Sequence, residues 1–173
     1  MASIQDRMFR AAKLDVQLYE EVEADTGATM QATIVVVLAS LAAGIGALGS
    51  GGASGIVTGT IVALVGWLVW ALLTYLIGTR LLPEPQTSAD YGELLRTIGF
   101  ASAPGVIRLL GIVPGLAAPL FLIGGIWMLV AMVVAVRQAL DYTSTLRAVG
   151  VCLIGWVVQV VILVLAAPLI GLA

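Results

Sequence analysis

YGELLRTIGFASAP, residues 91–104, runs from a charged segment straight into an apolar one, with two apolar stretches before it and two after. Tyr91, Leu94, Leu95 and Ile98 recur at helical spacing on one face, while Asp90, Glu93 and Arg96 fall largely off it. Thr87 and Asp90 have the hydroxyl-to-acid spacing of a capping box, which predicts a helix start nearby. The helix should enter a bilayer at residues 98–100 and continue as a short third span to about 113. Pro104 and Arg108 both interrupt that span, so it is predicted to be broken.

Composition says why a bilayer is the right solvent. Of 173 residues, 61% are hydrophobic and only 10% charged, against about 25% charged in soluble domains. The mean hydropathy is +1.11. A small globule could not bury so much apolar surface. Between Asp25 and Arg80, and again after Arg147, no ionisable carboxylate or base occurs. Those gaps alone hold three stretches of the roughly 20 apolar residues that a spanning helix needs. There is no histidine and Cys152 is the only cysteine, which excludes an intramolecular disulfide and any metal or haem site built on His or Cys. No metal or other cofactor is expected. The net charge of -2 and the lack of a basic domain give no reason to expect nucleic acid as a partner.

Residues 3–25 read as one amphipathic helix lying in the headgroup plane, capped by Ser3 and ended by Gly27, with Ile4, Met8, Ala11, Ala12, Leu18, Tyr19 and Val22 as its apolar stripe. Its charges are segregated. Arg7, Arg10 and Lys13 come first, suited to anionic lipid; Asp15, Glu20, Glu21, Glu23 and Asp25 follow, free to meet a protein. A solvated helix merely tethered to the first span is the plainer alternative. An apolar run directly after a basic start would mark a signal peptide; with charged residues first instead, the first span is expected to serve as its own insertion signal.

The expected spans are 29–48, 56–78, 98–113, 116–136 and 148–172, following an N-terminal unit at 1–28. GSGGASG (49–55) reads as an uncharged turn, and Gly51, Gly55 and Gly59 have the small-residue spacing that lets helices approach. With five spans and a cytoplasmic N-terminus, Arg7, Arg10, Lys13, Arg80, Arg96, Arg137 and Arg147 all lie inside, and only Arg108 is misplaced. A four-span rival, with the third segment dipping in and returning, moves Arg108 inside but sends Arg137 and Arg147 out. Insertion energies do not separate the two. An Arg at mid-span costs about 2.5–3.5 kcal/mol and each large apolar residue returns about 0.3–0.6, so the eight such residues from Ile98 to Val113 nearly cancel it. The five-span form is preferred, its third helix held by neighbours rather than by its own hydrophobicity. Tyr75, Tyr91 and Tyr142 fall near the inner interface, whereas Trp67, Trp70 and Trp127 fall mid-span, either as ordinary packing or as the lining of a groove for a lipid tail or quinone-like molecule.

Three passages carry a family resemblance: LYEEVEADTGATMQA before the first span, YGELLRTIGFASAP leading into the third, and RQALDYTSTLRAVGV before the fifth. In order and spacing, from about residue 18 onward, the chain resembles the YIP family, the Ypt/Rab-interacting membrane proteins, in a compact bacterial form. The resemblance implies five spans and a cytoplasmic N-terminus. The eukaryotic relatives act as adaptors in vesicle traffic, contacting Rab-type GTPases through a longer tail with an Asp-Leu-Tyr-Gly-Pro-like segment. DVQLY (15–19) does not replace that segment, so GTPase binding is not expected. The resemblance supplies no catalytic residues.

Nor does the chain itself offer catalytic machinery. GSGGASG lacks the Lys and the strand–helix setting of a phosphate loop, and no His or Lys stands ready to activate a Ser or Thr. Arg108 is expected to snorkel to the outer headgroups or to meet a lipid phosphate or a partner, and Gln159 to make an interhelical hydrogen bond. The expectation is therefore an all-α polytopic membrane bundle of five helices, the third short and broken, with an N-terminal interfacial helix. Its expected role is a non-enzymatic adaptor or scaffold, or an accessory subunit of a larger complex. A small transporter or channel subunit for an anion or lipid headgroup is the alternative. Arg7, Arg10, Lys13, Glu20, Glu21, Tyr91, Glu93, Arg96, Arg108, Arg137, Asp141 and Arg147 are the candidate contacts to lipid, another membrane protein or a second copy. The Ala/Val/Gly-rich spans suggest a bacterial cytoplasmic membrane, with the C-terminus outside.

Overall fold

A computed structural model describes residues 3–48 and 54–166. Its elements are α1 (Ile4–Ala12), α2 (Val16–Ala24), α3 (Ala28–Gly46), α4 (Ser54–Leu76), α5 (Tyr91–Phe100), a 3₁₀ segment (Ala103–Ile112), α6 (Ala117–Ala139) and α7 (Thr145–Ala166). No strand occurs among the described residues. Five helical stretches are long and apolar enough to cross a membrane: α3, α4 with its π-helical extension to Leu81, α5 with the 3₁₀ segment, α6, and α7. Residues 167–173 of the expected fifth span, and residues 49–53 of the expected turn, lie outside the described residues.

The third span is the least hydropathic of the five and the most enclosed. Its most apolar stretch is 56% buried, against 33% or less in the others, because α3, α4, α6 and α2 all pack on it. Ser102 and Gly105 close a tight turn around Pro104 (Gly105 N to Ser102 O 2.9 Å), and the chain stays in 3₁₀ form for ten residues. Such runs seldom exceed four residues on their own, so the surrounding helices hold it.

Close approach to α3 fixes the direction of this span. Side-chain methyls placed on Gly99 and Gly105 would lie 2.7 Å and 3.4 Å from Cβ of Ala32 and Ala39, and one on Gly111 would lie 3.0 Å from the Gly46 carbonyl oxygen. Three successive points on one chain meet three on the other in the same order. The third segment therefore runs parallel to α3 along its length and ends where α3 ends, rather than turning back.

Two local expectations are corrected. The capping box at α5 is formed by Asp90 and Glu93, not Thr87 and Asp90: Glu93 N donates to Asp90 Oδ1 (2.9 Å) and Asp90 N to Glu93 Oε2 (2.7 Å). The Thr87 hydroxyl instead accepts from Glu84 N (2.8 Å). At Gly55 and Gly59 the glycine spacing does not bring helices together either, because a methyl on either would meet nothing within 4 Å; Gly51 lies outside the described residues.

Residues 3–25 form not one helix but a hairpin. Leu14 takes φ +61°, and Asp15 caps the second helix by accepting from Gln17 N (3.0 Å). The apolar stripe is shared between the two helices: Ala11, Leu18, Tyr19 and Val22 are fully buried against the bundle. Trp127, at mid-span in α6, donates its indole N–H to Ala12 O (2.8 Å), which ties the hairpin tip to the bundle.

Candidate functional site

Folding the hairpin brings its basic half against its acidic half. Arg7, only 3% exposed, donates to Glu21 (2.9 Å), Asp25 (2.8 Å) and Gln31 (3.0 Å), and Arg10 to Asp15 (2.8 Å) and Glu21 (2.6 Å). The hydrogen bond from Arg10, opposed by burial and joined by Arg7, holds the Glu21 carboxyl below its usual range. The bond from Arg7 does the same for Asp25, and that from Arg10 for Asp15. Lys13 alone of the three bases is exposed.

Arg96 is 5% exposed. Its guanidinium donates to the carbonyls of Val22 (2.9 Å) and Glu23 at the C-terminus of α2, where helix carbonyls lack intrahelical donors. Arg137 donates to the carbonyls of Tyr142 (3.1 Å) and Thr143 (3.3 Å), and Arg147 to Pro83 O (2.6 Å). The Tyr91 hydroxyl donates to Leu68 O (3.0 Å).

Glu84, which sequence reading passed over, is the hub of the polar connections. Its carboxylate accepts from Thr143 N (2.9 Å), Thr143 Oγ1 (2.7 Å), Ser144 N (3.3 Å) and Gln86 Nε2 (2.5 Å). It thereby clasps the α4–α5 linker to the start of α7. These bonds, the Thr143 hydroxyl foremost, pull its carboxyl down to about 2. Tyr142 completes the clasp by donating to Gly78 O (2.9 Å) and Leu82 O (2.7 Å) at the π-helical end of α4. The sequence cue was a lone acid between Pro83 and Pro85.

With most bases engaged, what stays open at this polar end is acidic. Glu20, Glu23, Glu93, Gln138 and Asp141 line one crevice of about 250 Å³ between α2, α5 and the α6–α7 link. Burial, then the nearby charges of Glu93, Asp141 and Glu20, push the Glu23 carboxyl up to about 7 against the opposing pull of Arg96. The structure thus brings Glu20, Glu93 and Asp141 together, and it engages Arg7, Arg10, Glu21, Arg96, Arg137 and Arg147 internally.

Arg108 stands apart from all of these, beside the far end of α3, where its carbonyl lies against Gly46. It lies against α6, 5.4 Å from the Phe121 ring centroid. It lines a cavity of about 450 Å³ together with Trp67, Trp70 and Gln159. The two tryptophans line this space and also pack: Trp67 Nε1 donates to Leu95 O (3.1 Å), and Trp70 Nε1 lies 3.3 Å from Met132 Sδ. Gln159 does not make the hydrogen bond expected through its carbonyl, since Oε1 is buried without a partner.

A family model described as Yip1 domain matches residues 17–167, the stretch from α2 through all five spans. Comparison with curated proteins and with solved structures found no match. The match spans most of the chain, and with five membrane-length apolar helices behind it the protein is an integral membrane member of the Yip1 domain family.

Proposed function

We propose that this protein is a non-enzymatic membrane adaptor or scaffold that works from its polar end, and that this end faces the cytoplasm. The observation that carries the reading is the acidic crevice, to which α2, α5 and the α6–α7 link each contribute. Along the spans, by contrast, most exposed side chains are Val, Leu and Ile, as at Val57, Ile61, Leu122 and Leu129, which suit lipid rather than a selective partner. An acidic recess fits a basic segment of another membrane protein or of a second copy, steered by charge and seated by shape. An accessory subunit in a larger complex is the same reading with a permanent partner. Counted along the chain, five spans put seven of the eight bases on the N-terminal side of the membrane, which supports a cytoplasmic N-terminus by the positive-inside rule; the Ala/Val/Gly-rich spans suit a bacterial inner membrane.

Gentle solubilisation of the full chain, followed by identification of stoichiometric co-purifying protein, tests the proposal when paired with Glu20→Lys/Glu93→Lys. Wild type should retain a partner that the double variant loses. A partner held equally by both, or none with either, rejects it. The Arg108 cavity favours transport instead as a second reading. Anion flux in liposomes of purified protein, abolished by Arg108→Ala, would decide for that reading.

A further inference from the structure

Arg108 is the only charged residue between Arg96 and Arg137, and no acid among the described residues pairs with it. Its Nε is buried with no hydrogen-bond partner. A cation left so within a spanning region is costly and points to a function. Its surroundings are shaped to keep it there. Gly124 and Gly125 leave α6 bare beneath the guanidinium: a methyl on either would sit 3.3 Å from Nε or 3.5 Å from Nη2. The Phe121 ring lies 5.4 Å from Cζ, within cation–π range. The side chain therefore has a seat but no counter-ion.

That seat borders a cavity of about 450 Å³, within the usual size of small-molecule sites. The walls are chiefly apolar, with Trp67, Trp70, Met128 and Met132 among them. On them is a second unanswered polar atom, Oε1 of Gln159, which can only accept. Gly55 and Gly59 line the same space and have no neighbour facing their missing side chains, so the α4 wall is open rather than closed by packing. An occupant must bring an anion for Arg108, a hydrogen-bond donor for Gln159 and an apolar body for the walls. Phosphate alone lacks the last, and a phosphatidylcholine headgroup lacks the donor and the net charge.

We propose that this cavity binds a hydroxyl-bearing anionic phospholipid of the phosphatidylglycerol type, its phosphodiester on Arg108, a headgroup hydroxyl on Gln159 and acyl carbons along Trp67 and Trp70. The site lies at the opposite end of the bundle from the acidic crevice and does not depend on the adaptor reading.

The test is thermal unfolding of the purified full chain in neutral detergent, titrated separately with phosphatidylglycerol, phosphatidylcholine and glycerol phosphate. Phosphatidylglycerol should raise Tm of the wild type at concentrations at least tenfold below those at which the other two act. Arg108→Gln should lose that response, and Gln159→Leu should weaken it severalfold. Without lipid, Arg108→Gln should unfold no lower than wild type, since it removes an unpaired charge; this separates loss of binding from loss of fold. Arg108→Lys should keep part of the response. An equal response to phosphatidylcholine, an equal response to glycerol phosphate, or an undiminished phosphatidylglycerol response in Arg108→Gln would each overturn the proposal.

Discussion

Gly46 shows how much a single hydrogen can decide here. A methyl on it would overlap the carbonyl oxygen of Arg108, and that oxygen belongs to a backbone pinned between α3 and α6. Flexible neighbours can retreat from an added carbon, as Met128 could from one on Gly105, but a backbone carbonyl in a 3₁₀ run cannot move without unwinding it. Over-packing of a tight interior costs about 1–3 kcal/mol and more when backbone must shift. Gly46→Ala is accordingly expected to lose at least about 3 kcal/mol, measured as a fall in unfolding midpoint in detergent. Gly59→Ala, with open space before it, should be within experimental error of wild type. The sequence pattern singles out Gly59 and leaves Gly46 unmarked. Spacing by four at 51, 55 and 59 matches the familiar small-residue signal, whereas the contacts that form join residues six apart (99, 105, 111) to residues seven apart (32, 39, 46). No single-helix pattern reveals a seam whose two sides have different periods, one of them 3₁₀.

The N-terminal hairpin makes the corresponding case for an element. Its charge order, bases before acids, was visible in the sequence, but segregation along a helix leaves open whether each half meets lipid, protein or the other half. The break at Leu14, a non-glycine residue at φ +61°, carries no sequence signal. Once broken, the element titrates in two opposite senses. Asp15, Glu21 and Asp25 have lowered values in the fold, so their stabilisation is complete above the ordinary carboxylate range of about 4 and is lost as pH falls through the lowered values. Glu23 runs the other way. Its value rises from 4.5 to about 7, so its ionisation costs the docked hairpin nothing below about 4.5, progressively more up to 7, and the full amount above. Glu23→Gln should therefore raise the unfolding midpoint at pH 8 and leave it unchanged at pH 4.5. Arg7→Ala should lower stability by about 2 kcal/mol at pH 7, between the scale of an exposed and of a buried ion pair, because Glu21 and Asp25 are about a third exposed. Equal effects of Glu23→Gln at both pH values would contradict this account of the crevice.

At the scale of the molecule, apolar run lengths sufficed to read five helices, and the third was rightly expected to depend on its neighbours. What run lengths could not reveal is that α2 closes the bundle around that helix in place of lipid, because the covering residues are charged on one face and apolar on the other. The parallel course of the third segment beside α3 has a consequence for orientation. If the polar end is cytoplasmic, residues just after the 3₁₀ segment must emerge on the opposite side, whereas a segment that dipped and returned would place them inside. The lone native thiol, Cys152, is only 5% exposed, so engineered cysteines can be followed over a low background. Ser88→Cys lies in the exposed α4–α5 linker, and Val113→Cys sits where the native side chain is 47% exposed at the far end. A membrane-impermeant maleimide added to intact bacterial spheroplasts should modify Val113→Cys and spare Ser88→Cys, and inverted vesicles should reverse the pattern. Labelling of both from the same side would mean that the third helix does not cross, and would place Arg108 among the cytoplasmic bases. The phosphatidylglycerol-type site would then have to draw its lipid from the inner leaflet.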